Sequence, residues 1–401
     1  MSEIRTIPPK LTKVEWNALL DHGLEKPTSY IIRINGSTFE AVNAHTGKID
    51  YSGTDASSVI QSAINAGAGK VFLKRGRYNL SSELTINEGV VLEGEVLGAP
   101  LVTDKRTVLV TYKDTDFITL KGGSELKNLD IAMGTALSDS HAILNITSSS
   151  GVDFQKPIII DNVFVSGAIE ANGSALKLSI DSDANVSGVL VRNFSWYGFN
   201  KGVELILNSS YPSASISGNR FFGLTGKSSK YFIYLDTQGI GTPYLSTNQF
   251  LGVILQCTSG SLRGIYIGAK ANANQFIGTS IYDVPSSSYG VEICSGTEGT
   301  LLIGRVYKVL DNGTRTKIIN PYDYITQNGG TATFNGDGTT TSFNISHGLV
   351  STPSTYVVSP ASADAKGEFY VTADSTYITV NYTSAPPSGT DNVKLTWYAE
   401  V

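Results

Sequence analysis

The side chains able to do acid–base or metal chemistry are few and dispersed. Asp181 and Asp183 stand two apart in "SIDSDANVSG", as do Glu93 and Glu95 in "LEGE" and Asp114 and Asp116 in "KDTDF". In an extended strand such pairs project to one side, the arrangement from which carboxylates act as acid and base or hold calcium. The Asn, Gly and Ser around Asp181 and Asp183 instead describe a turn, and the other two pairs read as rim charges. Cys257 and Cys294 each lie inside an apolar run, without CxxC or Cys/His spacing, and read as two buried thiols. His22, His45, His141 and His347 are scattered and form no ligand motif. No catalytic residue, metal site or cofactor is assigned.

The elements that would position any site are β-strands. Of 401 residues, 41% are apolar, enough for a core, while 16% are charged and 41 are glycine, a balance that favours tight turns and short strands. A net charge of −5 with no Lys/Arg cluster excludes a nucleic-acid footprint. The start, "MSEIRTIPPKLTKVEW", has no apolar h-region, and no stretch reaches the eighteen apolar residues of a membrane helix, so neither a secretion signal nor a membrane span is expected.

The chain repeats itself. "ISGNRFFG" (216–223), "LSTNQFLG" (245–252) and "ANANQFIG" (271–278) share Asn-x-Phe-x-Gly, and looser forms occur at "DNVFVSG" (161–167), "RNFSWYG" (192–198) and "KNLDIAMG" (127–134). The asparagines 128, 162, 193, 219, 248 and 274 are spaced by 34, 31, 26, 29 and 26. A period of this length with no amphipathic helices inside it predicts a β-solenoid. Because strand side chains alternate, Phe164, Phe221, Phe250 and Phe276 are expected to stack inside, with Arg220, Gln249 and Gln275 facing out. The Asn is expected to satisfy backbone groups of the adjacent rung and the Gly to take the positive φ of the turn.

A second strand recurs at "GVELIL", "FIYLD", "GIYIG" and "GVEIC". Its outward middle residues form a column, Thr119, Asn145, Lys177, Glu204, Tyr234, Tyr266 and Glu292, with spacings of 26, 32, 27, 30, 32 and 26. Glu204 and Glu292 then lie three rungs apart, roughly 14 Å, beyond the ~5–9.5 Å of glycosidase carboxylate pairs. Lys177 beside Glu204 reads as a surface ion pair. Tyr234 over Tyr266 reads as a stacked ladder able to contact a sugar ring or a neighbouring subunit. Trp196 and Tyr197 in "FSWYGFN" break the Asn-x-Phe pattern with an aromatic cluster, expected on a loop and a candidate for surface recognition.

"GTDASSVIQSAINAG" (53–67) predicts a capping helix over the open end of the solenoid, started by Thr54 or Asp55, buried through Val59, Ile60, Ala63 and Ile64, and ended at Gly67. With the strands that follow it, "DASSVIQSAIN…GKVFLKRGRYNLSSELTI…GVVLEGE" resembles the opening of pectin-lyase-like right-handed parallel β-helix proteins, especially tailspikes and related fibre proteins of phages and archaeal viruses. The resemblance is specific over about residues 49–100 and generic to about 327. It implies an all-β fold: a right-handed parallel β-helix over 51–327, preceded by an adaptor segment (1–50) and followed by a small β-sandwich (328–401) that is similar to terminal modules of viral tail proteins. Within 1–50, "LTKVEWNALLDH" (11–22) predicts a short helix and "YIIRINGSTFEAVNAHTGKI" a hairpin turning at Asn35-Gly36.

Relatives of this fold include hydrolases with Asn-x-Asp, Asp-Asp, Gly-His-Gly and Arg-x-Lys motifs. None is present: His141 sits in "SDSHAIL" and "GRVYK" lacks the spacing. A calcium-binding acid cluster of the pectate-lyase kind is not evident either. The resemblance therefore implies a virion structural protein, a homotrimeric spike or tail fibre at the virion surface, made in the host cytoplasm. It would dock on a capsid or tail protein through its N-terminal segment and recognise a host surface glycan. The alternative is a polysaccharide lyase or endoglycosidase acting on that glycan, and a third reading is a secreted adhesin.

Overall fold

The computed structural model describes residues 27–67, 69–95, 106–207, 211, 213–237, 244–257, 263–319 and 324–401. The helix expected over 11–22 lies outside these residues.

Parallel strands stack in successive rungs from Gly69 to Ile319 and form one continuous sheet. Each rung presents three faces. The strand Glu125–Met133 makes the first and second faces on either side of a corner at Asn128, and Ala142–Thr147 makes the third. The rungs below repeat this plan through Ile159–Ser179, Leu190–Ile206 and Thr225–Asp236. Inside runs one core of Leu, Ile, Val and Phe. Phe221, Phe250 and Phe276 stack in it at centroid spacings of 4.5 and 4.7 Å with rings within 6° of parallel. Each such ring contributes ~1.5–3 kcal/mol of burial.

The repeat phrase turns out to hold two different asparagine columns. Asn219, Asn248 and Asn274 are fully buried. Asn219 accepts from Val189 N–H and donates to Val186 O and Asn248 Oδ1, and Asn248 donates in turn to Ile216 O and Asn274 Oδ1. This is the predicted rung-to-rung satisfaction of backbone groups. Asn128, Asn162 and Asn193 are instead corner residues at φ 54°, 54° and 50°. The corner that they occupy is taken in later rungs by Gly223, Gly252 and Gly278, at φ 62°, 65° and 68°.

One expectation fails for this reason. Phe164 is not in the core: the positive φ at Asn162 restarts the alternation, so Val163 and Val165 point in and Phe164 points out. Val163 pairs with Phe194, which fills the core at that level.

The capping helix spans Ala56–Asn65 and Asp55 accepts from Ser57 and Ser58 N–H, as a helix-starting aspartate should. Its buried side is Val59, Ile60, Ala63 and Ile64. The opposite role, closing the open strand edge, falls to Gln61, which donates to Thr85 O and accepts from Thr85 N–H. The hairpin Thr28–Asn35/Thr38–Asn43 forms as expected but turns one residue later, at Gly36-Ser37: Asn35 still pairs with Thr38, and Gly36 takes the positive φ of 60°. Rather than standing apart, it is hydrogen-bonded into the solenoid sheet, Thr28–Asn35 running parallel to Gly69–Leu73.

After residue 324 two antiparallel three-stranded sheets enclose a separate core that includes Phe343, Ile378, Val380, Val393 and Leu395. This is the expected C-terminal sandwich. It is fastened to the last strands of the solenoid end by Thr326, whose Oγ1 donates to Ile318 O and whose carbonyl accepts from Val401 N–H.

Candidate functional site

The third face carries the column read from the sequence, and every pairing in it occurs: Thr119, Asn145, Lys177, Glu204, Tyr234, Tyr266 and Glu292 lie side by side. Tyr234 and Tyr266 stack at 5.0 Å and 11°, and Tyr231 leans on both at 4.8 and 5.7 Å. Tyr234 OH donates to Asp236 at 2.7 Å. Burial first, and that carboxylate second, push the Tyr234 hydroxyl far above its ordinary range.

Glu204 departs from the expected surface pair. It is 1% exposed and is held by Lys201 Nζ at 2.7 Å and Ser174 Oγ at 2.6 Å, while Lys177 donates to Ser140 O. Lys201 also reaches Asp139 at 3.2 Å and lies 5.2 Å from the Tyr234 ring. Burial alone would lower the Lys201 ammonium, but Glu204 and Asp139 reverse this and raise it. The two acids share one cation, and the buried Glu204 is closed to a ligand.

The second face is open. Its outward residues form the columns Asp130, Phe164, Ser195, Thr225, Ile254 and Ser280, and Ala132, Ser166, Tyr197, Lys227, Gln256 and Tyr282. Two hollows of about 310 and 330 Å³ lie along it and meet at Phe164 and Ser195. Together they make a groove parallel to the solenoid axis, five rung steps or about 24 Å long.

The upper hollow gathers charged and amide groups beside apolar surface from Leu129, Val163 and Phe164. Asp130 is ion-paired with Arg106 there, beside the corner asparagines 128, 162 and 193, with Asn162 Nδ2 donating to Asn128 Oδ1. Burial raises the Asp130 carboxyl above its ordinary value despite Arg106. The lower hollow is amphipathic: Tyr197, 46% exposed, carries the Lys227 ammonium 5.4 Å over its ring, and Ile254, Gln256 and Tyr282 continue the wall. Flat aromatic faces beside amides and charges suit a polyhydroxylated chain, whose rings stack by their C–H faces and bond by their hydroxyls.

Of the aromatic pair, Tyr197 is in the groove and Trp196 is not. Both lie on the strand Leu190–Ile206, not on a loop, so they point to opposite sides. Trp196 is 2% exposed, and its Nε1 donates to Ser228 Oγ at 2.7 Å. Gly202 and Gly226 make room for the indole, since a Cβ on either would stand 2.0 or 2.1 Å from it.

Asp130, Phe164, Lys227, Ile254, Gln256 and Tyr282 were not singled out from the sequence as site residues. The residue pattern does not mark them, because the alternation restarts at the positive-φ corner between the first and second faces.

The remaining candidates are structural. Asp181 accepts from Ser149 N–H and Oγ and from Ser148 Oγ, tying two turns together. Both cysteines are free; Cys257 is buried and its thiol pushed up to about 11 by that burial, whereas Cys294 is only half-buried. Among the described residues no three His, Cys, Asp or Glu side chains gather as metal ligands, and no helix is long and apolar enough to cross a membrane.

No family model and no curated protein matches the chain. Solved structures similar to it include ORF18 of Geobacillus virus E2, at 12% identity and a TM-score of 0.47, covering 88% of this chain and 85% of that one. A tailspike protein variant of E. coli bacteriophage HK620 matches at 9% identity and 0.32, covering 86% and 90%. The A-module of a mannuronan C-5 epimerase from Azotobacter vinelandii matches at 15% identity and 0.29, covering 67% and 94%. In fold, the chain is a parallel β-helix of stacked rungs closed at one end by a capping helix.

Proposed function

We propose that this protein is a virion spike that attaches to its host by laying a surface glycan along the second-face groove. The observation that carries the reading is the groove's form: it is open, about 24 Å long and in register with the rungs. A compact metabolite would fill one hollow, whereas a linear polysaccharide can span both, meeting charged and amide groups in the upper one and aromatic rings in the lower. In this reading the N-terminal segment, residues 1–50, docks on a capsid or tail protein, copies of the chain assemble as a homotrimer, and the sandwich after residue 327 is displayed outward. The placement on a virion rests on the sequence resemblance over residues 49–100.

Binding of the purified full chain to an array of microbial surface polysaccharides tests the proposal. Retention of one polysaccharide class, with at least tenfold weaker retention of Tyr197→Ala, supports it. No retention of any class, or retention unchanged in Tyr197→Ala, overturns the groove assignment.

Glycan cleavage is a second reading, favoured by one observation: Asp130 lies in the groove beside Arg106, where a carboxyl can exchange protons with a bound sugar. It is the one carboxylate among the described residues lining the two hollows. Release of new chain ends from the retained polysaccharide, abolished in Asp130→Asn, would establish this activity.

A further inference from the structure

The first face holds a column that changes character half-way along. Its outward residues, paired rung to rung, are Glu93, Lys127, Asp161 and Arg192, then Phe222, Leu251, Ile277, Ile303 and Ile319. The first four alternate in sign along the stack, and Arg192 is ion-paired with Asp161 at 2.7 Å. The last five are apolar and point away from a core that Phe221, Phe250, Phe276, Leu302 and Ile318 already fill. They are only half-buried. Outward strand positions facing water are ordinarily polar, and the upper half of this same column obeys that rule.

We infer that this stripe is the contact face between copies of the chain, set side by side with their axes parallel. The stripe extends over four rung steps, about 19 Å, with one branched or aromatic side chain every ~4.8 Å. A partner helix rises ~1.5 Å per residue and ~5.4 Å per turn, so it drifts out of step. Another stacked-rung protein keeps step, and a second copy does so rung for rung.

The two flanks complement each other as well. With parallel axes related by rotation, one flank of a copy meets the opposite flank of the next. On one side stand Arg220, Gln249, Gln275, Leu301 and Lys317, with Gln249 Nε2 donating to Gln275 Oε1 at 3.4 Å, and the amides and cations among them carry donors for backbone carbonyls that they meet. On the other flank Gly223, Gly252 and Gly278 have no side chain to hold a neighbour away. The apolar rungs therefore meet their equivalents, while the charged rungs above Phe222 remain in water.

This inference names the contact face of the assembly proposed above and does not depend on the glycan reading, because Tyr197 lies on the second face. Sedimentation and native mass spectrometry of the full chain test it. The wild type is expected at a multiple of 42.7 kDa, and Leu251→Glu/Ile277→Glu at the monomer mass, with at least a hundredfold weaker association. Ile277→Cys, a milder change that preserves the fold, is expected to form chain-to-chain disulfides on oxidation, whereas Gln256→Cys on the second face is not. A wild type that stays monomeric at all concentrations overturns the inference. So does an oligomer that survives the double substitution and forms no link when Ile277→Cys is oxidised. Glycan retention by the monomeric variant separates the two proposals: if retention persists while assembly is lost, both stand; if assembly is lost as predicted and the wild type retains no glycan, only the glycan reading falls.

Discussion

Asn193 stands in register with Gly223, not with Asn219. Arg192 pairs with Phe222 and Ser195 with Thr225, so the corner residue of one rung is asparagine and that of the next is glycine, at φ 50° and 62°. Aligning the letters of the repeat puts Asn193 over Asn219, four residues away from its real partner. The common factor is conformation: both residue types tolerate the left-handed region.

The corner column predicts its own substitutions. At Gly252 an added Cβ would meet only Gly223 N, at 3.9 Å, so space is not limiting and the φ of 65° is. Gly252→Asn should change stability by less than about 0.5 kcal/mol, because Asn fills the same corner in the earlier rungs, whereas Gly252→Val should cost roughly 1–2 kcal/mol. Denaturant unfolding of the two variants checks the difference, and equal losses would remove the conformational explanation.

The Lys201–Glu204 pair predicts an asymmetry. Glu204→Gln leaves a buried ammonium facing one exposed acid, Asp139, and should destabilise by about 3–5 kcal/mol. Replacing both, as Lys201→Met/Glu204→Leu, should recover most of the loss, to within about 2 kcal/mol of wild type. A double-mutant cycle measures the coupling, and additive losses would show that the two do not act as a pair.

Trp196 and Tyr197 should separate stability from recognition. Trp196→Ala empties a filled site and removes the Ser228 hydrogen bond, so a loss of about 3–5 kcal/mol is expected. Tyr197→Ala should leave the melting temperature within a degree or two and reduce glycan retention at least tenfold, about 1.4 kcal/mol. Parallel melting and binding measurements check both, and similar melting losses in the two variants would contradict the assignment of opposite sides.

Asp181 sets an acid limit. Burial alone would raise its carboxyl, but hydrogen bonds from Ser149, Thr147 and Ser148 outweigh it and hold the folded value below the ordinary one. For a carboxylate lowered on folding, the stabilisation is fully present above the unfolded value near 4 and disappears as pH falls through the folded value. Asp181→Asn should therefore be less stable than wild type at pH 7, with the gap narrowing as pH falls below about 4. Unfolding curves across that range check the convergence; a constant gap would assign the effect to packing.

Much of this was legible in residue types. The 26-to-34-residue period, the third-face column from Thr119 to Glu292, the Phe221–Phe250–Phe276 stack, the Asp55-capped helix and the hairpin of Thr28–Asn43 each follow from local pattern and spacing, and the structure holds them all, with the hairpin turn one residue later than expected. Phe164, Trp196 and Glu204 were misplaced, each for a definable cause. Phe164 follows a corner that resets the alternation, Trp196 sits in room made by two glycines distant in sequence, and Glu204 is covered by Lys201 and by the segment carrying Asp139.

The amino-acid sequence by itself determined that rungs stack with this period and, on the third face, which residues share a column, because an uninterrupted strand pattern needs no more than a period to be aligned. Which way each column faces was decided by the tertiary structure. Alternation has a period of two, and its phase restarts at every positive-φ corner. A corner written Asn in one rung and Gly in the next does not announce itself in the letters. The groove and the apolar stripe both depend on that phase, so both emerged only when the rungs were stacked.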